Sequence, residues 1–302
     1  MSFVSGANAD PLDRKQSHLE YIGAESAWRT TQGDPSIIVG VIDTGMRASH
    51  EDLKNSLWEG VGYDFVSHSP DVSDRHGHGT HVAGIIAAEN GNSMGGSGIA
   101  PKTKIMVLKV ADDRMIRLDA VTAAIYYAIK NGAKILNSSY SSCNQTGPLY
   151  EPLKKAYQAA SDAGILLVFA AGNSGMKLGS YTCFPAMWEF ETSLTVGALV
   201  NQTKVSAGSN YGPEYVHLFA PGTDILSAWK GDAQKYSRLT GTSQAAPMVS
   251  AAAALIWAHE PWLSARQVKE RILNTTDKDP KYAKYVSSGG RLDLERIFSA
   301  IE

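Results

Sequence analysis

The sequence predicts an α/β fold, a mostly parallel central sheet with helices on both faces. Short apolar runs rich in β-branched residues, such as Ser36–Ile42, are continuous rather than alternating, as in strands buried on both sides. Stretches with helical spacing stand between those runs, and strands alternating with helices imply parallel pairing through crossovers. No repeat, low-complexity segment or linker interrupts the 302 residues. Residues 1–302 are therefore read as one domain, with 1–35 a polar arm and first helix packed against it.

In chain order, Ser36–Ile42 is the first strand and His78–Glu89, small and apolar, the first long helix. Lys104–Val110 is a strand, Leu118–Asn131 an amphipathic helix ended by Gly132, and Ala133–Ser138 a third strand. Glu151–Ala163 has Pro152 near its start and Gly164 just past its end, the usual helix punctuation. Ile165–Ala171 and Leu194–Val200 are further strands, followed by an irregular Gly- and Ser-rich section to about Leu239. The apolar run Ala245–Ala258 is a buried helix, with Ser243 at its N-cap and Pro247 in its first turn. A helix over Ser264–Asn274, capped by Ser264, and a short one near Asp293–Ala300 close the chain.

Composition excludes several classes. A net charge of −2 with no Lys/Arg cluster argues against a nucleic-acid partner. The longest apolar runs fall short of the roughly 20 residues that a membrane-spanning helix needs. Met1–Asp10 has neither a basic start nor an apolar stretch, so no signal peptide is expected: the protein stays inside the cell, or the chain is a mature or expressed fragment. Cys143 and Cys183 are too few for a disulfide scaffold or a Cys-rich metal site, leaving two buried thiols or one bridge. Sequons start at Asn137, Asn144, Asn201 and Asn274, but Asn137 ends a strand expected to be buried.

The chemistry lies in three short stretches and the loop before the Ala-rich helix. In parallel sheets ligands bind beyond the carboxyl ends of the strands, where Asp43 of Val-Ile-Asp43-Thr-Gly and Asn173 of Ala-Ala-Gly-Asn173 fall. The Asp-Thr-Gly tripeptide occurs once, whereas aspartic peptidases need two such carboxylates sharing a proton. His76, His78 and His81 are close in sequence, but no Glu is placed as in the His-Glu-x-x-His zinc motif. The better reading makes His78 a general base, bonded to Asp43 on one ring nitrogen and to Ser243 on the other. A serine hydroxyl is a poor nucleophile without such a base, and the base needs a carboxylate to hold its tautomer. The Asn173 amide and the Ser243 backbone N–H could then receive an oxyanion.

These four words in the order Asp, His, Asn, Ser resemble the subtilisin-like serine peptidases, and the likeness runs from Ala9-Asp10-Pro11 to Gly290-Arg-Leu-Asp293. The resemblance implies a three-layer fold and a secreted serine endopeptidase with Ser243 as nucleophile, His78 as base then acid, Asp43 as its orienter and Asn173 as oxyanion donor. An intracellular location and a transpeptidase or macrocyclase using the same acyl-enzyme are the alternatives, and a catalytically silent binding module is a third reading. Lipase-like hydrolases do not fit, because here the partners precede the serine in the chain. The resemblance also implies a protein substrate bound as an extended strand between Asp113–Leu118 and Leu136–Ser141, a monomer, and an N-terminal pro-segment that this chain lacks. Expected substrate contacts are Ser139, Tyr140, Ser141, Ala171, Gly172, Cys183 and Arg117. Ser141 and Cys183 stand where relatives usually carry Gly, which should shrink the first specificity pocket. Phe184-Pro185 resembles the family's aromatic-Pro bond, often cis.

Calcium is the ion the resemblance implies. Side-chain oxygens of Asp10, Asp52 and Asn92, with carbonyls of Glu89, Met94 and Gly96, would give the all-oxygen shell that Ca2+ prefers. A second family calcium loop, around Asp64 to Asp74, carries Ser67 and Ser69 where acids are usual and is not claimed.

Overall fold

In a computed structural model the described residues are 10–299 apart from 113, 114, 145 and 146. The start of the arm, Asp113, the sequon residues Gln145 and Thr146, and Ala300 lie outside them. The elements that position the site are strands β1 (Ile38–Asp43), β2 (Leu57–Asp64) and β3 (Lys104–Lys109), β4 (Ile135–Ser138) and β5 (Leu166–Ala170). After them come β6 (Ser193–Leu199), β7 (Leu218–Pro221), β8 (Asp277–Lys278) and β9 (Gly290–Arg291). The long helices are α1 (His78–Ala87), α2 (Leu118–Lys130), α3 (Glu151–Asp162), α4 (Thr242–His259) and α5 (Ala265–Asn274).

The nine strands form one sheet in the order β8-β9-β7-β6-β5-β4-β1-β3-β2, parallel except for the β8–β9 pair. The α/β expectation is met. Successive residues of the central strands face opposite layers, as strand geometry requires. Ile105 and Val107 of β3 join one apolar cluster while Met106 and Leu108 join the other, and Leu166 and Leu167 of β5 divide the same way. α4 lies in the first cluster, and α2 and α3 bury their apolar faces in the second. At the centre of β1, a Cβ on Gly40 would stand 2.7 Å from Leu136 and 2.9 Å from Leu108, so only glycine lets these layers close.

Four local features differ from the sequence reading. β2 was not expected: its first half is half-buried or exposed, Gly60 and Gly62 interrupt it, and its register shifts against β3. β7 and the hairpin Ile225–Ala228/Tyr236–Leu239 fall in the stretch read as irregular, because four-residue strands are too short to show a period. The N-cap of α4 is Gly241 rather than Ser243, which is the second helical residue. Pro247 is correspondingly inside the helix, with consequences described below. Elsewhere the punctuation holds: Ser264 caps α5 in a reciprocal capping box with Gln267. Cys143 and Cys183 form a disulfide between two short antiparallel strands, and Phe184-Pro185 is cis.

Candidate active site

Asp43 ends β1 and is almost wholly buried, as a central parallel strand dictates for its last residue. Gly45 turns the chain away at φ +109°, where a Cβ would strike the Val72 carbonyl at 2.4 Å. The Asp43 carboxylate accepts the Thr44 N–H (2.8 Å) and faces His78 Nδ1 with both oxygens, at 2.8 and 2.9 Å. An ionised carboxylate only accepts, so Nδ1 carries the proton and Nε2 keeps a lone pair. Burial disfavours the imidazolium, but the charge and hydrogen bond of Asp43, helped by the charge of Asp74, outweigh it and raise the His78 pKa above 6.5.

Asp74 was missed in the sequence and builds the start of α1. Its Oδ1 accepts from the Thr44 hydroxyl (2.9 Å) and from His76 N and Gly77 N (3.0 and 2.7 Å), while Oδ2 accepts from Thr80 N and Thr80 Oγ1 (2.9 and 2.6 Å). A buried carboxylate taking the free N–H groups of a helix N-terminus is favourable in charge as well as in hydrogen bonding. The aspartate's capping position was obscured because it lies several residues before α1 and Gly77 supplies the cap backbone. His81 has a different task. Its Nε2 donates to the Ile225 and Ser237 carbonyls (2.9 and 3.1 Å), and burial holds its pKa down to about 4. It is a neutral fastener for the hairpin, which removes it from any histidine metal cluster.

Ser243 stands one residue into α4. Its hydroxyl donates to the Ser139 carbonyl (2.8 Å), so the bond expected to His78 is not made in this structure. The reason is local competition: the nearby carbonyl is a ready acceptor for an otherwise idle hydroxyl. Ser139 returns the contact, its Oγ donating to the Ser243 carbonyl at 2.9 Å. That carbonyl is one Pro247 cannot serve, since a proline four residues on has no N–H for it. Ser139 therefore satisfies the gap that Pro247 opens, and α4 continues unbroken through it.

Asn173 follows β5 and is exposed. Its Oδ1 accepts the Thr242 N–H (2.8 Å) and the Thr242 hydroxyl (3.1 Å). A backbone N–H can only donate, so the amide orientation is fixed and Nδ2 is left over for another partner. A Cβ on Gly241 would lie 3.1 Å from that Nδ2, which places the amide beside the first turn of α4.

A cleft of about 190 Å³ is lined by Asp43, Thr44, His76, His78, Ile116, Ser139 and Tyr140. Ile116 comes from one expected substrate edge and Ser139 and Tyr140 from the other; Asp113, at the start of the first edge, lies outside the described residues. Ser141, Ala171, Gly172 and Cys183 are not among the cleft-lining residues, but three of them meet: a Cβ on Gly172 would stand 3.2 Å from Ser141 Oγ and 3.3 Å from Cys183 Sγ. Arg117 is not among the cleft-lining residues: its guanidinium pairs with Asp119 at 2.6 Å at the exposed start of α2.

Asp10, Asp52 and the 89–96 loop also meet. Asp10 accepts from Gly91 N (2.7 Å) and Ser93 N (2.8 Å), and Asp52 accepts from Asn92 Nδ2 (3.0 Å), Gly96 N (3.3 Å) and the Tyr236 hydroxyl (2.8 Å). Among the described residues no group of three or more His, Cys, Asp or Glu side chains could hold a metal. Beside the 64–74 loop the buried Lys109 ammonium lies 3.0 Å from Asp64 and 3.1 Å from the Ser73 carbonyl.

The fold is a largely parallel sheet with Asp43 paired to His78 at one strand end, and comparison with known proteins identifies the family. Residues 34–293 match the family described as the subtilase family, and the chain belongs to this family of serine endopeptidases. It is 36% identical to a thermophilic serine proteinase of Bacillus sp. (strain AK1) over 265 residues, 87% of this chain and 62% of that relative, so it spans less than two thirds of that protein. It is 36% identical to subtilisin DY of Bacillus licheniformis over 242 residues, covering 80% of this chain and 83% of the relative. It is 35% identical to the major intracellular serine protease of Bacillus subtilis (strain 168) over 275 residues, 89% of this chain and 83% of that one. The epidermin leader peptide processing serine protease of Staphylococcus aureus shares the fold, with a TM-score of 0.86 at 22% identity, covering 98% of this chain and 83% of that one. Among the described residues no helix is long and apolar enough to cross a membrane.

Proposed function

We propose that this chain hydrolyses internal peptide bonds through an acyl-enzyme on Ser243. The observation that carries the reading is the His78–Asp43 pair, which leaves the Nε2 lone pair of a cleft-lining imidazole available as a base. In the reaction Ser243 turns its hydroxyl from the Ser139 carbonyl toward His78, a rotation about one side-chain bond. Oγ attacks the substrate carbonyl as Nε2 takes its proton, and the resulting oxyanion accepts from Asn173 Nδ2 and Ser243 N–H. His78 returns the proton to the leaving amine; water, deprotonated by the same nitrogen, then releases the acyl group. Profiling the cleavage of a mixed peptide pool, with and without a serine-directed inhibitor, tests this: inhibitor-sensitive internal cuts support it, and inhibitor-resistant cutting contradicts it.

The substrate would lie extended between Ile116 and Ser139–Ser141, gaining affinity from backbone pairing. With Ser141 Oγ and Cys183 Sγ both close to Gly172, a small or medium side chain before the scissile bond should be preferred. Clear preference for large aromatic residues at that position in the same profile would reject the idea. The Cys143–Cys183 bridge supports a secreted protein, because disulfides persist in oxidising compartments.

A Ca2+ ion held by Asp10, Asp52 and Asn92, with carbonyls of Glu89, Met94 and Gly96, is part of the proposal. The donors already gather in one place, and neither Asp10 nor Asp52 forms an ion pair among the described residues. The ion would supply the missing positive charge and tie the arm to the 89–96 loop. Removing it with EGTA is expected to lower Tm by about 5 °C or more, since an ion at 100 times its Kd stabilises by about 2.7 kcal/mol. An unchanged Tm would remove the ion from the account.

A further inference from the structure

One side chain outside the proposed reaction brackets the loop that carries Asn173. Asn210 is fully buried. Its Oδ1 accepts the N–H groups of Ser174 and Met176 (3.0 and 3.2 Å), and its Nδ2 donates to the Ala171 carbonyl (2.9 Å). Its backbone N–H donates to the Gly172 carbonyl (2.9 Å). Residues on both sides of Asn173 are thus tied to a single amide, while the Asn173 side chain is tied to Thr242. The partners dictate the residue type: two N–H groups demand an acceptor and a carbonyl demands a donor, at the spacing that a carboxamide offers.

Two glycines show how closely the parts fit. Gly172 sits at φ +101°, and a Cβ there would be 2.3 Å from Asn210 Nδ2, so the amide fills the space that a side chain at 172 would need. Gly175 sits at φ +65°, with the Ala207 carbonyl 2.5 Å from its would-be Cβ. The strap continues through Gly175 N to the Gly208 carbonyl (2.8 Å) and Tyr211 N to the Met176 carbonyl (3.1 Å). The 207–211 segment therefore runs along the loop as a splint, and Asn210 is its buried peg.

We infer that Asn210 is a positioning residue for the oxyanion donor, holding residues 171–176 so that Asn173 Nδ2 points at the developing negative charge. This rests on reading Asn173 as that donor. Preorganised donors work because they need no rearrangement as the charge forms, and a misplacement of about 1 Å can cost 10²-fold. The oxyanion exists only in the transition state, so the loss falls on kcat and leaves KM little changed.

A double-mutant cycle on the full chain, with a peptide anilide chosen from the cleavage profile, tests the inference. Asn173→Ala is expected to lower kcat by about 10²–10³. Asn210→Ala should lower kcat by about 10-fold or more in the parent enzyme but by less than about twofold in the Asn173→Ala background, because the group it positions is gone. Equal fold losses in the two backgrounds, or a folded Asn210→Ala enzyme with parental kcat, would overturn the role of Asn210. An Asn173→Ala enzyme with parental kcat would instead overturn the reading of Asn173. If the alanine variant fails to fold, Asn210→Asp keeps the side-chain volume and the acceptor but loses the donor facing Ala171, and the same comparison across backgrounds applies.

Discussion

Replacing Ser243 by alanine is expected to lower kcat by about 10⁶-fold, on the scale known for subtilisin itself, with the fold retained. The size follows from the proposed role: without the Ser243 hydroxyl the acyl group has lost its acceptor, so the two-step path is lost. The structure gives a reason to expect a folded variant. The Ser243 carbonyl is satisfied by Ser139 Oγ, and the carbonyl is backbone that alanine also has. The Ser139 carbonyl loses one donor, a cost of about 1–3 kcal/mol if no water replaces it. Kinetics on the purified variant check this, and a loss under tenfold would remove Ser243 from the mechanism.

Asp43→Asn is the second large effect, with kcat expected to fall by about 10⁴-fold. Asparagine can present its N–H to His78 Nδ1, which turns the imidazole to the tautomer with its proton on Nε2. That nitrogen can then no longer take the Ser243 proton. The pH profile supplies an independent signature, and its sign is fixed. The base must be neutral, so activity is present above the His78 pKa and is lost as pH falls through it. In the parent that pKa lies above 6.5, because Asp43, together with Asp74, outweighs the effect of burial. Without the Asp43 charge, burial acts with only Asp74 against it, and the acid limb should move to lower pH. An acid limb unmoved by the substitution would mean that another group sets the profile.

Much of this was legible before any coordinates, and the reasons are physical. Strands such as Ile165–Ala171 are buried on both faces, so their composition alone announces them. Asp43 and Asn173 could be assigned to the same end of the sheet because they follow parallel strands. What stayed hidden depends on contacts between distant segments. Asp74 looks like one more polar loop residue until Thr44, Gly77 and Thr80 close around it. Asn210 lies in a turn-rich stretch where asparagine is ordinary, and only its bonds to both flanks of Asn173 single it out. Pro247 was legible as a helix residue but not its position, because the rule placing proline in the first turn does not foresee a serine just beyond β4 taking its duty. The Ser243 hydroxyl was expected on His78 and lies on the Ser139 carbonyl, a choice between two acceptors that composition does not encode.

Reaction with a fluorophosphonate followed by mass mapping tests the central claim most directly, since such a reagent reports an activated serine without needing the natural substrate. The account predicts a single adduct on Ser243, formed in the parent enzyme and lost when His78 is replaced by alanine. Labelling of a different residue, or labelling of Ser243 at an undiminished rate without His78, would contradict it.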